Sequence, residues 1–344
     1  MDMPVGFITP ALEVSQPRTA VDPAPLVSDT RASAMQISLG PILTYWPRQQ
    51  VFDFYADMAS QPVDFIYIGE TVCSRRHELR LDDWLEIAEQ LAAAGKEVVL
   101  SSQVLIESES DLKALRRMVD NGKFSVEAND FGAVRLLALE RVPFVAGTSL
   151  NVFNPTTLRL LAEQGAKRWV MPPEMSGAQL AEFVAPGTTS LATPVANPVA
   201  TEVLAWGRLP LAYSARCFTA RHYNLQKDAC EFKCLEFADG LPLQTREGQP
   251  FLTLNGIQTQ SAKIYNLLPD LPALRAAGVD VVRISPQSEN TADIIAAFRA
   301  GVDANRAAAV APAEFIDQLC RQMAVEQCNG FWHGRPGLEM IAAN

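Results

Sequence analysis

The chain has no apolar run of the roughly 18 residues that a membrane-spanning helix needs. It is equally short of the usual catalytic signatures. Its three histidines, His77, His222 and His333, are dispersed with no His-x-x-x-His spacing, which argues against a histidine-bound catalytic zinc. No Gly-x-Ser-x-Gly elbow presents a serine for nucleophilic attack, so hydrolase chemistry has no support. Positive charge is scarce as well: 29 Lys and Arg stand against 39 Asp and Glu, a formal charge of -10. That balance works against nucleic acid as a partner, because a phosphate-backbone binder presents a basic stripe. The first 34 residues contain five prolines and no sustained periodicity, and they lack the charged start and apolar stretch of a secretion signal. They read as a flexible tail on a cytoplasmic protein.

What is present is a rhythm. Short β-branched runs begin at Gln36, Asp64, Glu97, Phe124, Phe144, Arg168, Glu202 and Val279, and stretches with apolar residues at helical spacing lie between them. DDWLEIAEQLAAAG from Asp82, SDLKALRRMVDNG from Ser110 and NPTTLRLLAEQG from Asn154 are examples. The last has clear end signals: Asn154 as N-cap, Pro155 at the first helical position and Gly165 as the stop. Strand and helix in alternation imply parallel pairing, and eight units point to a closed (β/α)8 barrel. A doubly wound sheet is disfavoured because no glycine-rich phosphate loop follows the first run. The organisation expected is a tail over residues 1–34, a barrel over 35–306 and a C-terminal extension over 307–344. Two stretches interrupt the alternation. Residues 186–200 read as a proline-rich surface connection, and Arg208 to Leu267 reads as an insertion between the seventh and eighth strands, with a hairpin through PFLTLNGIQTQ.

The chain has six cysteines, and three of them, Cys217, Cys230 and Cys234, fall in the insertion. In a reducing compartment clustered thiols are metal ligands or redox groups more often than disulfides. Cys73 follows the second strand, and Cys217 follows the seventh. Both belong to the rim where barrel chemistry gathers, and Cys230 and Cys234 lie in the same long loop. Four thiolates at C-x143-C-x12-C-x3-C suit either a tetrahedral zinc or a cubane iron–sulfur cluster. Structural zinc favours two tight knuckles, and only one close pair occurs here, which leans toward a cluster without deciding it. Cys320, inside an apolar helical pattern, reads as a buried small hydrophobe. Cys328, in an irregular segment, competes with Cys73 for the fourth position. Arg75, Arg76, Arg216 and Arg221 flank the thiols and suit an anion or the tuning of a cluster.

The segments SLGPILTYWP, FIYIGETVCSRR, WLEIAEQL, FVAGTSLNVFN, GRLPLAYSARCFTAR, KDACEFKC, FLTLNGIQT, VDVVRISPQ and CNGFW, in this order, resemble the bacterial family long called collagenase-like peptidases, in particular its ubiquinone-biosynthesis members. The resemblance covers about Met35 to Trp332. It implies a [4Fe-4S] cluster held by Cys73, Cys217, Cys230 and Cys234. It also implies oxygen-independent, anaerobic hydroxylation of a ubiquinone precursor, as a heterodimer with a UbiU-like protein. A lipid-binding accessory protein, UbiT, and prephenate as oxygen donor complete the expected set of partners. In that light Arg76, Arg216 or Arg221 would hold the prephenate carboxylates. The peptidase name does not transfer, because no nucleophile–base motif is visible. The alternatives are an iron–sulfur RNA-base hydroxylase of the same family, or a non-catalytic subunit whose cluster serves structure or electron transfer. The tail departs from the resemblance, and a chain beginning at Met35 is expected to fold unaided. Circular dichroism and thermal melting should match those of the full chain, and an insoluble product would show that the tail packs on the barrel.

Overall fold

The structure, a computed structural model, describes residues 35–184, 199–304, 315–318, 320–321 and 325–342. The expected tail, most of the proline-rich connection and the alanine-rich passage after Arg306 lie outside these residues. In chain order the regular elements are β1 (Gln36–Leu39), α1 (Arg48–Met58), β2 (Phe65–Ile68), α2 (Leu81–Ala93), β3 (Glu97–Ser101), α3 (Glu109–Val119), β4 (Ser125–Ala128), α4 (Phe131–Leu139), β5 (Phe144–Ala146), α5 (Pro155–Glu163), β6 (Ala166–Val170), α6 (Gly177–Val184) and β7 (Ala200–Tyr213). There follow α7 (Phe218–His222), β8 (Leu241–Gln244), β9 (Pro250–Asn255), β10 (Gln258–Asn266), α8 (Leu271–Ala276), β11 (Val281–Ile284), α9 (Thr291–Asp303) and β12 (Gln327–Cys328). Strands β1 to β7 pair in sequence, and β11 pairs in parallel with both β7 and β1. That pairing closes an eight-stranded (β/α)8 barrel with helices between the strands.

Local signals explain the helices. In α2 the buried residues Trp84, Ile87, Ala88 and Leu91 recur at helical spacing, so one face packs on the barrel. Leu91 is fully enclosed, and its truncation to alanine would cost about 2–5 kcal/mol. Helix α3 starts in a reciprocal cap: Ser108 Oγ accepts from Asp111 N at 3.2 Å while Asp111 Oδ2 accepts from Ser108 N at 3.0 Å. Helix α5 starts as expected, with Asn154 Oδ1 accepting from Thr157 N at 2.8 Å. Beyond its end, Gly165 adopts a φ of +112°.

The seventh strand departs from its expected end. Instead of stopping at Gly207, β7 continues to Tyr213. Its first half lies in the barrel, and residues 206–213 pair antiparallel with β10. Gly207 permits the change of sheet. It has a φ of +131°, and a Cβ there would fall 2.5 Å from Cβ of Ser285. The insertion is therefore a sheet of β8, β9 and β10 grown from β7, and the β9–β10 hairpin matches the expected turn around Gly256. The C-terminal segment joins this sheet through β12, which runs parallel to β10. Gly177 N donates to Trp332 O at 2.9 Å where the segment packs under α6.

Inside the barrel, apolar side chains and charges share the space. Phe65, Tyr67, Val99, Val145, Val170 and Val281 form an inner apolar cluster. Beside it Arg283 Nε donates to Glu202 Oε1 at 2.6 Å, and its Nη1 donates to Glu127 Oε1 at 2.8 Å. Glu202 also accepts from Ser38 Oγ and Tyr67 OH, each at 2.6 Å, and Glu127 accepts from Ser101 Oγ at 2.7 Å. The Arg283 guanidinium lies 4.0 Å over the Tyr67 ring. Burial alone would push the Glu202 carboxyl up, but Arg283, Arg168 and Ser38 outweigh it and hold it below the ordinary glutamate value. A carboxyl depressed in the folded state stabilises the fold above its unfolded pKa, and that contribution is lost as pH falls through the folded value. Glu202→Gln is therefore expected to cost about 3 kcal/mol at pH 7, with a deficit that shrinks as the medium is acidified. Urea unfolding at stepped pH measures it, and a deficit independent of pH would show that the lost charge is not its origin.

Candidate functional site

The rim at the C-terminal ends of β2 and β7 is built around Glu70. Its Oε1 accepts from Val72 N at 3.0 Å and Cys73 N at 3.1 Å, which folds the segment after β2 into a tight turn and carries Cys73 with it. Arg76 closes that turn, its amide donating to Cys73 O at 3.0 Å. The Arg76 side chain runs inward and is 1% exposed. It donates to Leu43 O and to Asn255 Oδ1, both at 2.7 Å, and lies 5.3 Å over the Tyr45 ring. Burial pushes the Glu70 carboxyl up, and Arg76 offsets this only in part.

The insertion loop folds over the same rim. Cys217 caps α7, its Sγ accepting from Ala220 N at 3.4 Å, and Phe218 N donates to Gly256 O at 2.7 Å. Arg75, beside Cys73, holds the loop from the barrel side by bonding Asp228 Oδ1 at 2.7 Å and Asp228 O at 2.8 Å. Lys227 adds bonds to Glu107 and to Ala215 O. Between Cys230 and Cys234 the backbone passes through two left-handed residues, Glu231 at φ 53° and Phe232 at φ 49°. Such a pair costs on the order of 1–2 kcal/mol per residue. Phe232 is held there by its ring, 5.9 Å from that of Tyr45.

The four rim cysteines are half-buried, whereas Cys320 and Cys328 are buried. Burial pushes the Cys73 thiol up. The Arg75 amide and the Arg76 guanidinium act against it, and Glu70 and Cys217 add to it. Cys234 behaves alike: burial raises it, Arg76 lowers it, and Cys217 and Cys73 raise it further. Cys73, Cys217 and Cys234 thus lie within one another's electrostatic field, with Arg76 among them. Cys230 sits one short turn away, its carbonyl accepting from Lys233 N at 3.2 Å. Among the described residues no three His, Cys, Asp or Glu side chains are arranged to hold a metal ion. The donor chemistry of four rim thiols still fits a thiophilic centre. Cys328 lies on β12 opposite Tyr265, and Cys320 belongs to the main core. Arg216 and Arg221 flank Cys217 and are exposed, while Arg76 is committed to the inner network. His77 and His222 are exposed, and His333 Nε2 pairs with Asp270 at 3.1 Å.

Beside the cysteines the barrel mouth holds a cavity open to solvent and lined in part by Leu43, Thr71, Glu127, Arg208, Tyr213 and Arg283. Sequence reasoning did not single out this set. The available signal was a charge on the inward side of a strand, as with Glu127 in SVEA, Glu202 in ATEVL and Arg283 in VVRI.

The chain has weak similarity to several solved structures. A DAHP synthase from Thermotoga maritima is 10% identical, with 86% of this chain and 71% of that one covered and a TM-score of 0.40. An N-acetylneuraminate lyase from Aliivibrio salmonicida is 11% identical, with coverage of 84% and 82% and a TM-score of 0.39. An O-GlcNAc hydrolase from Thermobaculum terrenum is 11% identical, with coverage of 84% and 63% and a TM-score of 0.41. The family model for peptidase family U32 matches residues 52–342, so the chain is a member of peptidase family U32.

Proposed function

We propose that this chain is a UbiV-type subunit that binds a [4Fe-4S] cluster through Cys73, Cys217, Cys230 and Cys234. In this reading it serves oxygen-independent hydroxylation in ubiquinone biosynthesis together with a UbiU-like protein, with prephenate as the oxygen donor. The observation that carries the reading is electrostatic. Two of the thiols, Cys73 and Cys234, are pushed up first by burial and further by the neighbouring Cys217, with Cys73 also raising Cys234, and Arg76 opposes this in both without cancelling it. A thiophilic cation would supply the rest and convert mutual repulsion into ligation. The pinning of the insertion loop by Arg75 and Lys227 supports it, since both bonds hold the Cys217 to Cys234 segment against the loops after β2 and β3. A bound cluster supplies one-electron transfer. The chain's own residues would then hold the loop, through Arg75, and shield the site, through Tyr45 and Phe232.

The substrate consideration favours partners. A ring bearing a polyprenyl chain is strongly apolar, and no helix among the described residues is long and apolar enough to cross a membrane. A lipid-carrying protein such as UbiT would present it. Two measurements test the reading. In protein purified anaerobically, Cys73→Ala, Cys217→Ala, Cys230→Ala and Cys234→Ala are each expected to lower iron and sulfide content, while Cys320→Ala leaves it unchanged. Iron retained in Cys73→Ala but lost in Cys328→Ala would mean that Cys328 is the fourth ligand. In a strain lacking its UbiV, this chain is expected to restore ubiquinone without oxygen only when the UbiU-like protein is present. Restoration without that partner would refute the pairing.

A further inference from the structure

The charges inside the barrel nearly cancel below the mouth. Arg283 is shared by Glu127 and Glu202, and Arg168 lies 3.7 Å from both Glu97 and Glu202. Arg208, on the cavity wall, is different. Its Nη1 donates to the carbonyls of Ser261, at 3.1 Å, and Ala262, and its buried Nε has no partner among the described residues. Among those residues no carboxylate forms an ion pair with it. Asp239 acts only at longer range, being hydrogen-bonded to Ser288, and burial leaves the Arg208 guanidinium lowered from its ordinary value. A desolvated guanidinium with no carboxylate of its own, on a cavity whose lining carboxylate, Glu127, is already paired with Arg283, is a strong attractor for an anion. Two more donors on the same wall lack partners: Thr71 Oγ1, in a residue 2% exposed, and Arg283 Nη2, in a residue 7% exposed.

A fourth donor is aimed by a chain of side-chain amides. Arg76 can only donate, so its bond to Asn255 fixes Oδ1 on that side, and Asn255 Nδ2 must then donate to Leu43 O, at 2.8 Å, and to Gln258 Oε1, at 2.9 Å. Gln258 Oε1 also accepts from Gln260 Nε2 at 3.0 Å, which turns Gln258 Nε2 toward the Tyr213 hydroxyl at 2.7 Å. Tyr213 therefore accepts on its inner side and has its own proton to give on the cavity side. The rest of the lining includes Pro41, Leu43, Val104, Pro173 and Pro210. We propose that the barrel mouth binds a small oxyanion carried on an apolar body, with Arg208 as its counter-charge and the Tyr213 hydroxyl, Thr71 and Arg283 Nη2 as donors. The wall chemistry separates this ligand from a bare inorganic anion, which would gain nothing from five apolar side chains.

The inference does not rest on the cysteine reading, and the test reads binding whether or not iron is present. Benzoate, succinate and inorganic phosphate are titrated into the full chain by calorimetry, with benzoate expected to bind tightest. Arg208→Met is expected to weaken benzoate by about tenfold or more and Tyr213→Phe by about three- to tenfold, in line with loss of a charge-assisted bond and of a neutral one. Arg246→Ala, an exposed arginine in the β8–β9 turn, leaves binding unchanged. If Arg208→Met does not fold, Tyr213→Phe, which removes only the hydroxyl, carries the test. Absence of benzoate binding at millimolar concentration overturns the proposal, as do equal affinities in both variants. Phosphate binding tighter than benzoate overturns the apolar body.

Discussion

Arg283 is the constraint on which the inside of the barrel is organised. One guanidinium from the last barrel strand reaches carboxylates on β4 and β7 and lies over a tyrosine from β2, so four strands converge on a single planar group. A buried pair of this kind contributes little net stability against a well-packed apolar alternative, but breaking it strands a charge and costs about 3–5 kcal/mol. Its effect is on specificity. Because side chains alternate along a strand, a shift of one residue would turn Arg283, Glu127 or Glu202 outward onto the helices, where each would be buried without a partner. The network thereby penalises every register except the observed one, and it forms the floor of the mouth cavity.

The rim cysteines and the mouth cavity lie side by side above that floor, and they share walls. Thr71 lines the cavity two residues before Cys73, and Leu43 lines it while accepting from Arg76. Arg76 touches both worlds: it lies among the thiols and also sets the direction of the amide chain that ends at Tyr213. The rim loop and the insertion sheet are tied into one polar lattice, with Asn255 and Gln258 as its buried nodes.

Much of this was legible in the sequence. All eight barrel strands were visible because parallel strands covered by helices read as short apolar runs, and the ends of α5 were written in Asn154, Pro155 and Gly165. The full length of β7 was not, because Arg208 and Pro210 resemble the start of a loop. Only the pairing of Arg208 with Ile264 and of Pro210 with Gln260 on β10 makes them strand, and nothing local encodes that pairing. The cysteines stood out by composition and by family resemblance, whereas Arg208 and Tyr213 did not. Their significance depends on Arg208 having no carboxylate paired with it among the described residues and on the orientation of two amides, which are properties of three-dimensional neighbourhoods. The inward charges were in view as oddities of alternation, but their partners come from strands scattered between residues 38 and 283.

Strand β7 belongs to two sheets at once, parallel in the barrel and antiparallel in the insertion, with the handover at Gly207. The cysteine-bearing insertion is therefore not a cassette hung from the barrel by flexible joints. Its sheet is a continuation of the barrel wall, and the tether at the other end is β10, whose exit is stapled back to β7 by the bond from Leu267 N to Ala205 O. Tied to the barrel at both ends, the insertion takes its position from the barrel strands themselves, so the register that aligns Arg283 with its carboxylates also sets where the cysteine loop meets the rim.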